Sequence, residues 1–325
     1  MPRDLVVIIV SWNTRDLTLN ALRTLCSDLA AHGPDAEVWV VDCASADGTP
    51  GAIRQHFPQV KVVASADNLG FAAGNNLALE HIGFSLEPGT PVKADLPRAV
   101  YFLNPDTETT PGATRALYEA LLRLPSAGVV GAQLAYADGT FQHGAFRFPG
   151  LAQLAIELFP IPARLYDSRL NGRYPRRRYA EGEPFLVDHT LGATMMVRRE
   201  VIAATGAFDE SYFMYCEEID WSLRIRRAGW QIYAVPAALV VHLGGQSSGQ
   251  VRAQSLINLW RSRLRLFDRH YSPPRRALAR WLVHLGMRWR LWQATRAARA
   301  GTLSAPDSAA LIAAYRVVLE AARTP

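Results

Sequence analysis

Short apolar runs that stop abruptly at small polar residues recur through the first 250 positions of the chain. Leu5 to Val10 ends at Ser11-Trp12-Asn13, and Glu37 to Val41 ends at Asp42-Cys43-Ala44-Ser45. Val60 to Ala64 leads into Asp67-Asn68-Leu69-Gly70, and Val100 to Leu103 ends at Asn104-Pro105-Asp106. Runs of this length without alternation predict strands buried on both faces, as in a parallel sheet covered by helices. Between them the period changes. Leu19, Leu22 and Leu25 predict a helix from Asp16, as N-cap, to about Ala31, and Gly48 turns the chain into a second helix ending near Phe57. Further on come a helix over 114–124, a strand over 128–135 and a hairpin at Asp138-Gly139. A strand over 188–197, a helix from Glu217 to Gly229 and two strands, 231–235 and 238–242, follow. The alternation predicts an α/β class with a Rossmann-like, mostly parallel sheet and helices on both faces.

Two stretches break the rhythm. Residues 67–76 are rich in Gly, Ala and Asn, which permits close approach of the backbone to a ligand or a neighbouring strand. Residues 150–185 are dominated by Pro, Tyr and Arg, and read either as a flap that grips phosphate or as a solvated loop.

From residue 251 the pattern is different. Leu256, Leu259, Trp260, Leu264 and Phe267 recur at helical spacing, with Arg261, Arg265 and Arg269 interleaved. After Pro273-Pro274 the same is true of Leu278, Trp281, Leu282, Leu285, Trp289 and Trp292. Residues 251–325 hold 14 Arg against three acids, a charge of +11, so the total of +6 leaves residues 1–250 at −5. A helical basic tail on a mildly acidic body is expected to meet something anionic. With Trp on the apolar side, these are membrane-surface helices by composition. The competing uses are packing on the preceding domain or pairing as a homodimer. Nucleic acid fits poorly with the acidic body.

Composition adds limits. Hydrophobic content of 49% and charged content of 20% belong to a globular chain, and no run of eighteen apolar residues predicts a spanning helix. The three cysteines lack metal-ligand spacing, and Met1-Pro2-Arg3-Asp4 runs into a strand without a signal-peptide layout. A cytoplasmic setting is expected, peripheral on the inner face of the membrane if the tail binds there.

The candidate chemistry lies where the strands end, because ligands of open α/β sheets collect beyond the carboxyl ends of the strands. Asp106 suits a divalent cation holding a diphosphate; the alternative is a cap for the helix after Pro111. Ser11 and Asn13 are ligand contacts or ordinary turn residues. Glu217, Glu218 and Asp220 crowd one first helical turn, where the helix dipole alone favours carboxylates and where one could also be held as a general base. His242 ends a strand, as a structural residue or as a ligand.

These stretches in their order, Val-Ile-Ile-Val-Ser-Trp-Asn, Val-Val-Asp-Cys-Ala-Ser-Ala-Asp-Gly-Thr, Asn-Leu-Gly-Phe-Ala-Ala-Gly-Asn-Asn and Leu-Asn-Pro-Asp, resemble family 2 glycosyltransferases, most closely the bacterial rhamnosyltransferase-like branch. The resemblance covers about residues 4–245. It implies a GT-A fold over 1–250, with a nucleotide-binding half (1–110) and an acceptor half (111–250), followed by the tail (251–325). It implies that Ser11, Asn13, Asp42 and Ser45 surround the base and ribose of a nucleotide sugar, and that Asn68, Gly70 and Asn75 lie along the cleft. Asn104-Pro105-Asp106 would stand for the family's Asp-x-Asp, with Asp106 and His242 on Mg²⁺ or Mn²⁺. Gly192 and Ala193 would skirt the reacting sugar. The acids match the family's Glu-Asp-x-Asp, which makes Glu218 the base, one methylene longer than the usual Asp, with Glu217 and Asp220 as alternatives. Cys43 stands where the family often has Asn. The implied activity is inverting, metal-dependent transfer of a sugar, rhamnose from dTDP-rhamnose favoured, to a glycan or polyprenyl-linked acceptor in cell-surface polysaccharide synthesis. The alternative is a non-catalytic sugar- or partner-binding relative. A dehydrogenase is disfavoured because no Gly-x-Gly-x-x-Gly follows the first strand.

Overall fold

Leu5, Val7, Ile8 and Ile9 of the first strand, β1 (Leu5–Ser11), have no exposed surface, which is what an unbroken apolar run requires. The computed structural model describes residues 3–244, 251–300 and 305–323. After β1 come α1 (Arg15–His32), β2 (Ala36–Cys43), α2 (Thr49–His56), β3 (Lys61–Ser65), α3 (Gly70–Ile82), β4 (Ala99–Leu103), β5 (Thr107–Thr109), α4 (Ala113–Arg123) and β6 (Ala127–Ala135). Next are β7 (Phe141–Gln142), β8 (Ala145–Phe146), α5 (Leu151–Leu158), α6 (Arg176–Ala180), β9 (Phe185–Val187), β10 (His189–Thr190), β11 (Thr194–Arg198), α7 (Arg199–Thr205), α8 (Glu217–Arg227) and β12 (Gln231–His242). The last helices are α9 (Arg252–His270), α10 (Pro273–Arg299) and α11 (Ala305–Arg323).

The main sheet runs β3-β2-β1-β4-β11-β6-β12-β5, with β7 on β6 and β9 on β12. β3, β2, β1 and β4 are parallel, and β11 enters antiparallel between β4 and β6. The order reverses at β1, with β2 on one side and β4 on the other, so a ligand crevice opens beyond their carboxyl ends. Odd positions of β1 (Leu5, Val7, Ile9) face one core with Leu22 and Leu25 of α1 and Leu117 and Leu121 of α4. Even positions (Val6, Ile8) face the other, with Leu79 of α3, Ile202 of α7 and Trp221 of α8. The sheet is covered on both faces, as the sequence predicts.

The chain forms two compact units. The first takes the described residues of Met1–Arg147, Tyr174–Phe213 and Glu217–Ser247; the second those of Phe148–Arg173, Met214–Cys216 and Ser248–Pro325. In the second unit, Leu154 and Leu158 of α5 join Trp260, Leu264 and Phe267 of α9, Val283 and Met287 of α10 and Val318 of α11 in one core. A Cβ on Gly286 would stand 2.6 Å from a Leu158 methyl, so glycine lets α10 approach α5 closely.

Several expectations are corrected. Asp16 lies in the first turn of α1, and Thr14 is the N-cap, its carbonyl accepting from Thr18 N at 2.8 Å. From Gly70 the small-residue stretch is helical: Gly74 lets α3 lie on the sheet, since a Cβ there would meet Val10 at 2.9 Å. Residues 150–185 hold α5 and α6. The two last strands are one, β12, whose register slips between Val235 and Leu239, around Pro236, which has no N–H to donate. Trp260, Leu264 and Phe267 are core residues of the second unit, so the apolar side of α9 is covered.

Candidate active site

The ends of β1 and β2 are tied together by side chains. Register sets Ser11 beside Asp42. Asn13, at φ 50°, donates its N–H to Ser45 Oγ at 2.8 Å, and its Oδ1 accepts from Ala46 N at 2.8 Å. Asp42 Oδ2 accepts from Ser45 N at 3.0 Å, while Oδ1 is buried with no hydrogen-bond partner among the described residues. Asn13, Asp42 and Ser45 therefore form one rim. Ser11 is turned inward, its hydroxyl 3.1 Å from that of Thr14 and 3.0 Å from that of Thr18. Cys43 is also in the core, and burial pushes its thiol up to about 11.

Along the start of α3, Asn68 Oδ1 accepts from Gly70 N at 3.1 Å, closing a turn. Gly70 has φ 76°, and a Cβ there would lie 2.2 Å from Phe213 O, which accepts from Phe71 N at 2.9 Å. Asn75 is buried and donates Nδ2 to Phe71 O at 2.8 Å, a bond within its own helix.

Beyond β4 the chain turns at Asn104-Pro105-Asp106 into β5, which pairs with β12 so that Thr107 faces His242. That pairing brings His242 Nε2 to 3.5 Å from Asp106 Oδ1, with both residues buried. His242 Nδ1 lies 3.2 Å from Gln142 Oε1, and Nε2 faces the Asp106 carboxylate. With the ring neutral and Nδ1 donating to Gln142, the pair offers one nitrogen and one oxygen donor to a cation. An oxygen and a nitrogen donor, each about 2.0–2.2 Å from one ion, sit well within a 3.5 Å separation, so the pair fits a divalent cation. Among the described residues no group of three or more His, Cys, Asp or Glu forms a metal cluster. Asp106 does not cap α4. Asp28 of α1 does, accepting from Gly112 N at 2.5 Å and Thr114 N at 3.0 Å.

Asn104 N donates to Ala193 O at 3.0 Å, which joins the Asp106 turn to the segment leading into β11. The neighbouring Gly192 lies against α8: a Cβ on it would be 3.7 Å from Glu218 Cβ and 3.6 Å from the Phe71 ring. Of the three acids, Asp220 is fully buried and bonded to Arg224 Nε at 2.9 Å. Arg224 also donates to Thr205 O and Ala207 O, so this acid holds α8 to α7. Glu217 is buried, and burial, then the neighbouring Glu218, hold its carboxyl well above the usual carboxylate range. Tyr215 and Cys216, just before α8, both have positive φ (69° and 67°), an uncommon conformation for bulky residues.

Sequence reasoning missed Gln142 and Asp28. Both act across the fold, and no local pattern marks either.

The switch-point crevice is thus rimmed by strand-end acids, with an Asp–His pair on the sheet and a carboxyl pair at the start of α8. Residues 6–205 match the family model for glycosyl transferase family 2, and the chain belongs to that family: it is a glycosyltransferase of the GT-A fold and of the rhamnosyltransferase type. It is 32% identical over 257 residues, 78% of this chain and 81% of the relative, to the N-acetylglucosaminyl-diphospho-decaprenol L-rhamnosyltransferase of Mycobacterium tuberculosis (strain ATCC 25618 / H37Rv). Over 57 residues, 18% of this chain and 22% of the relative, it is 42% identical to rhamnosyltransferase WbbL of Escherichia coli (strain K12). Its fold is similar to that of the mannosyltransferase PcManGT from Pyrobaculum calidifontis, solved with GDP-Man and Mn²⁺, at TM-score 0.55 and 19% identity over 99% of this chain and 85% of the other.

Proposed function

We propose that this glycosyltransferase moves L-rhamnose, from dTDP-rhamnose, onto a lipid-linked acceptor that begins with an N-acetylglucosamine diphosphate, at the inner face of the cell membrane during cell-surface polysaccharide assembly. The mycobacterial relative is named for that sugar and that acceptor, and its likeness spans most of both chains. The observation that carries the catalytic part is the meeting of Asp106 and His242, 136 positions apart in the chain and 3.5 Å apart at the end of the sheet.

Asp106 and His242 would hold Mg²⁺ or Mn²⁺, which supplies positive charge to the departing nucleoside diphosphate. Asp42, with a buried acceptor oxygen to offer, receives a ribose hydroxyl or an imide N–H, and Asn13 and Ser45 fix the turn that presents it. Gly192, beside Glu218, and Ala193 would lie along the sugar. Glu218 accepts the proton of the attacking acceptor hydroxyl as that oxygen bonds to the anomeric carbon and the diphosphate leaves from the opposite face, inverting the centre. General-base help of this kind is worth about 10²–10⁴-fold.

Thermal shift with dTDP, UDP and GDP, each with and without Mg²⁺ or Mn²⁺, tests the reading. Metal-dependent stabilisation by dTDP, lost in Asp106→Ala, is the expected result. Stabilisation by none of the panel, together with no hydrolysis of dTDP-rhamnose, would favour a non-catalytic binding protein.

A further inference from the structure

α10 is apolar on two opposite sides, and among the described residues only one of them is packed into a core. Ala279, Val283, Met287 and Ala294 are buried, all but Ala294 in the core of the second unit. On the other side Leu278, Trp281, Leu285, Trp289 and Trp292 fall within an arc of about 80° at 3.6 residues per turn. Trp281, Trp289 and Trp292 are 56%, 40% and 51% exposed, and they are the only tryptophans so exposed among the described residues. Trp289 and Trp292 stack at 5.1 Å. A helix with apolar residues all round is normally enclosed; here the tryptophans of the second face stay exposed among the described residues.

The arginines of α10 sort in the same way. Arg280 is held by Asp268, and Arg290 donates to Glu157 O, so these two serve the unit's interior. Arg288, Arg296 and Arg299 are exposed on or beside the tryptophan arc, with Arg296 5.5 Å from the Trp292 ring. α10 contains no Asp or Glu at all.

We propose that this Trp–Arg face of α10 lies on an anionic lipid bilayer, with the indoles at the headgroup level and Arg288, Arg296 and Arg299 against lipid phosphates. Indoles favour that zone because one edge is apolar and the N–H needs a polar partner. The charge of the helix selects the occupant. Two copies of a helix with seven arginines and no acids would repel when paired through this face, whereas an anionic surface neutralises it. No helix among the described residues is long and apolar enough to cross a membrane, so the contact is in the plane of the surface. This inference does not depend on which sugar is transferred.

The test uses the full chain and phosphatidylcholine vesicles with and without phosphatidylglycerol. Co-sedimentation with the anionic vesicles is expected, with tryptophan fluorescence quenched by brominated acyl chains. Replacing Trp281, Trp289 and Trp292 by Ser should weaken binding by about tenfold per residue. Replacing Arg288, Arg296 and Arg299 by Gln should cost about fivefold per residue and abolish the preference for anionic lipid. Hydrolysis of donor should be unchanged in both variants. Failure of the wild-type chain to bind anionic vesicles would overturn the proposal, as would equal binding by the tryptophan variant. A dimer in sedimentation equilibrium that the tryptophan variant dissolves, without vesicle binding, would assign the face to a second copy. Should that variant misfold, quenching of the wild-type chain decides alone.

Discussion

His242 presents Nε2 to Asp106 across 3.5 Å because Gln142 holds Nδ1 from the other side at 3.2 Å. A neutral ring that donates Nδ1–H to Gln142 presents an Nε2 lone pair to Asp106, so Gln142 would set both ring orientation and tautomer. Gln142→Leu should weaken Mn²⁺-dependent dTDP binding by about 10–100-fold, the usual cost of losing such a support. Asp106→Asn should remove the metal dependence altogether. Isothermal titration with and without Mn²⁺ measures both, and metal-dependent binding of undiminished strength in Gln142→Leu would refute the tautomer argument.

The two neighbouring glutamates should respond very differently to amide replacement. Burial, then the neighbouring Glu218, raise the Glu217 carboxyl, so Glu217→Gln, which mimics the protonated form, should retain most of kcat. Glu218→Gln should lose about 10²–10⁴-fold in kcat with donor binding intact. The pH dependence has a definite sign. A carboxyl raised in the fold binds its proton more tightly than in the unfolded chain, so its contribution to stability is complete below the unfolded value and declines as pH rises. Urea unfolding of Glu217→Gln should lack that decline. Equal losses of kcat in the two variants would contradict the assignment.

Asp28 supports the far side of the site by capping α4 with both carboxylate oxygens. Asp28→Ala should lower stability by about 2 kcal/mol, because it removes an N-cap and leaves buried N–H groups unpaired. Asp28→Asn, able to satisfy one N–H, should cost less. Denaturant midpoints at constant slope check the order.

His189 is buried against the Phe146 ring, and desolvation holds its imidazole down to about 4. The unfolded chain then binds more protons between about 6.5 and 4, so stability is complete above the higher value and falls with pH through that window. The slope reaches about 1.4 kcal/mol per pH unit. Its absence from the difference between the wild-type chain and His189→Gln would rule this linkage out.

The sequence reveals what periodicity can carry. The strands of the parallel half are legible because each is an apolar run with a polar stop, and the stops mark the site. α3 is not legible: Gly70, Gly74, Asn75 and Asn76 are poor helix formers, and the helix is set by tertiary contacts, Gly74 lying on Val10 and Asn76 clamping both backbone groups of Phe208. Asp106 and His242 each show as a polar residue at a strand end, but only the resemblance paired them. The separate role of Asp220 is invisible in a row of acids, since it depends on where Arg224 reaches. The tail misleads in a different way. Trp260 and Trp289 look alike in sequence, yet one is core and the other surface, because the first lies in a core closed by residues of α5, α10 and α11.

The pairing of β5 with β12 has a consequence for folding. Only three residues of β5 hold this edge, and their partners lie at the far end of the first unit's sequence. An ion gripped by Asp106 and His242 would act as a removable cross-link across a 136-residue loop. Loop-closure entropy grows only as the logarithm of length, yet for so long a loop it still amounts to several kcal/mol. Chelation would therefore first be felt as fraying of this edge, with the amides of Thr107 to Thr109 exchanging their hydrogens sooner than those of β1.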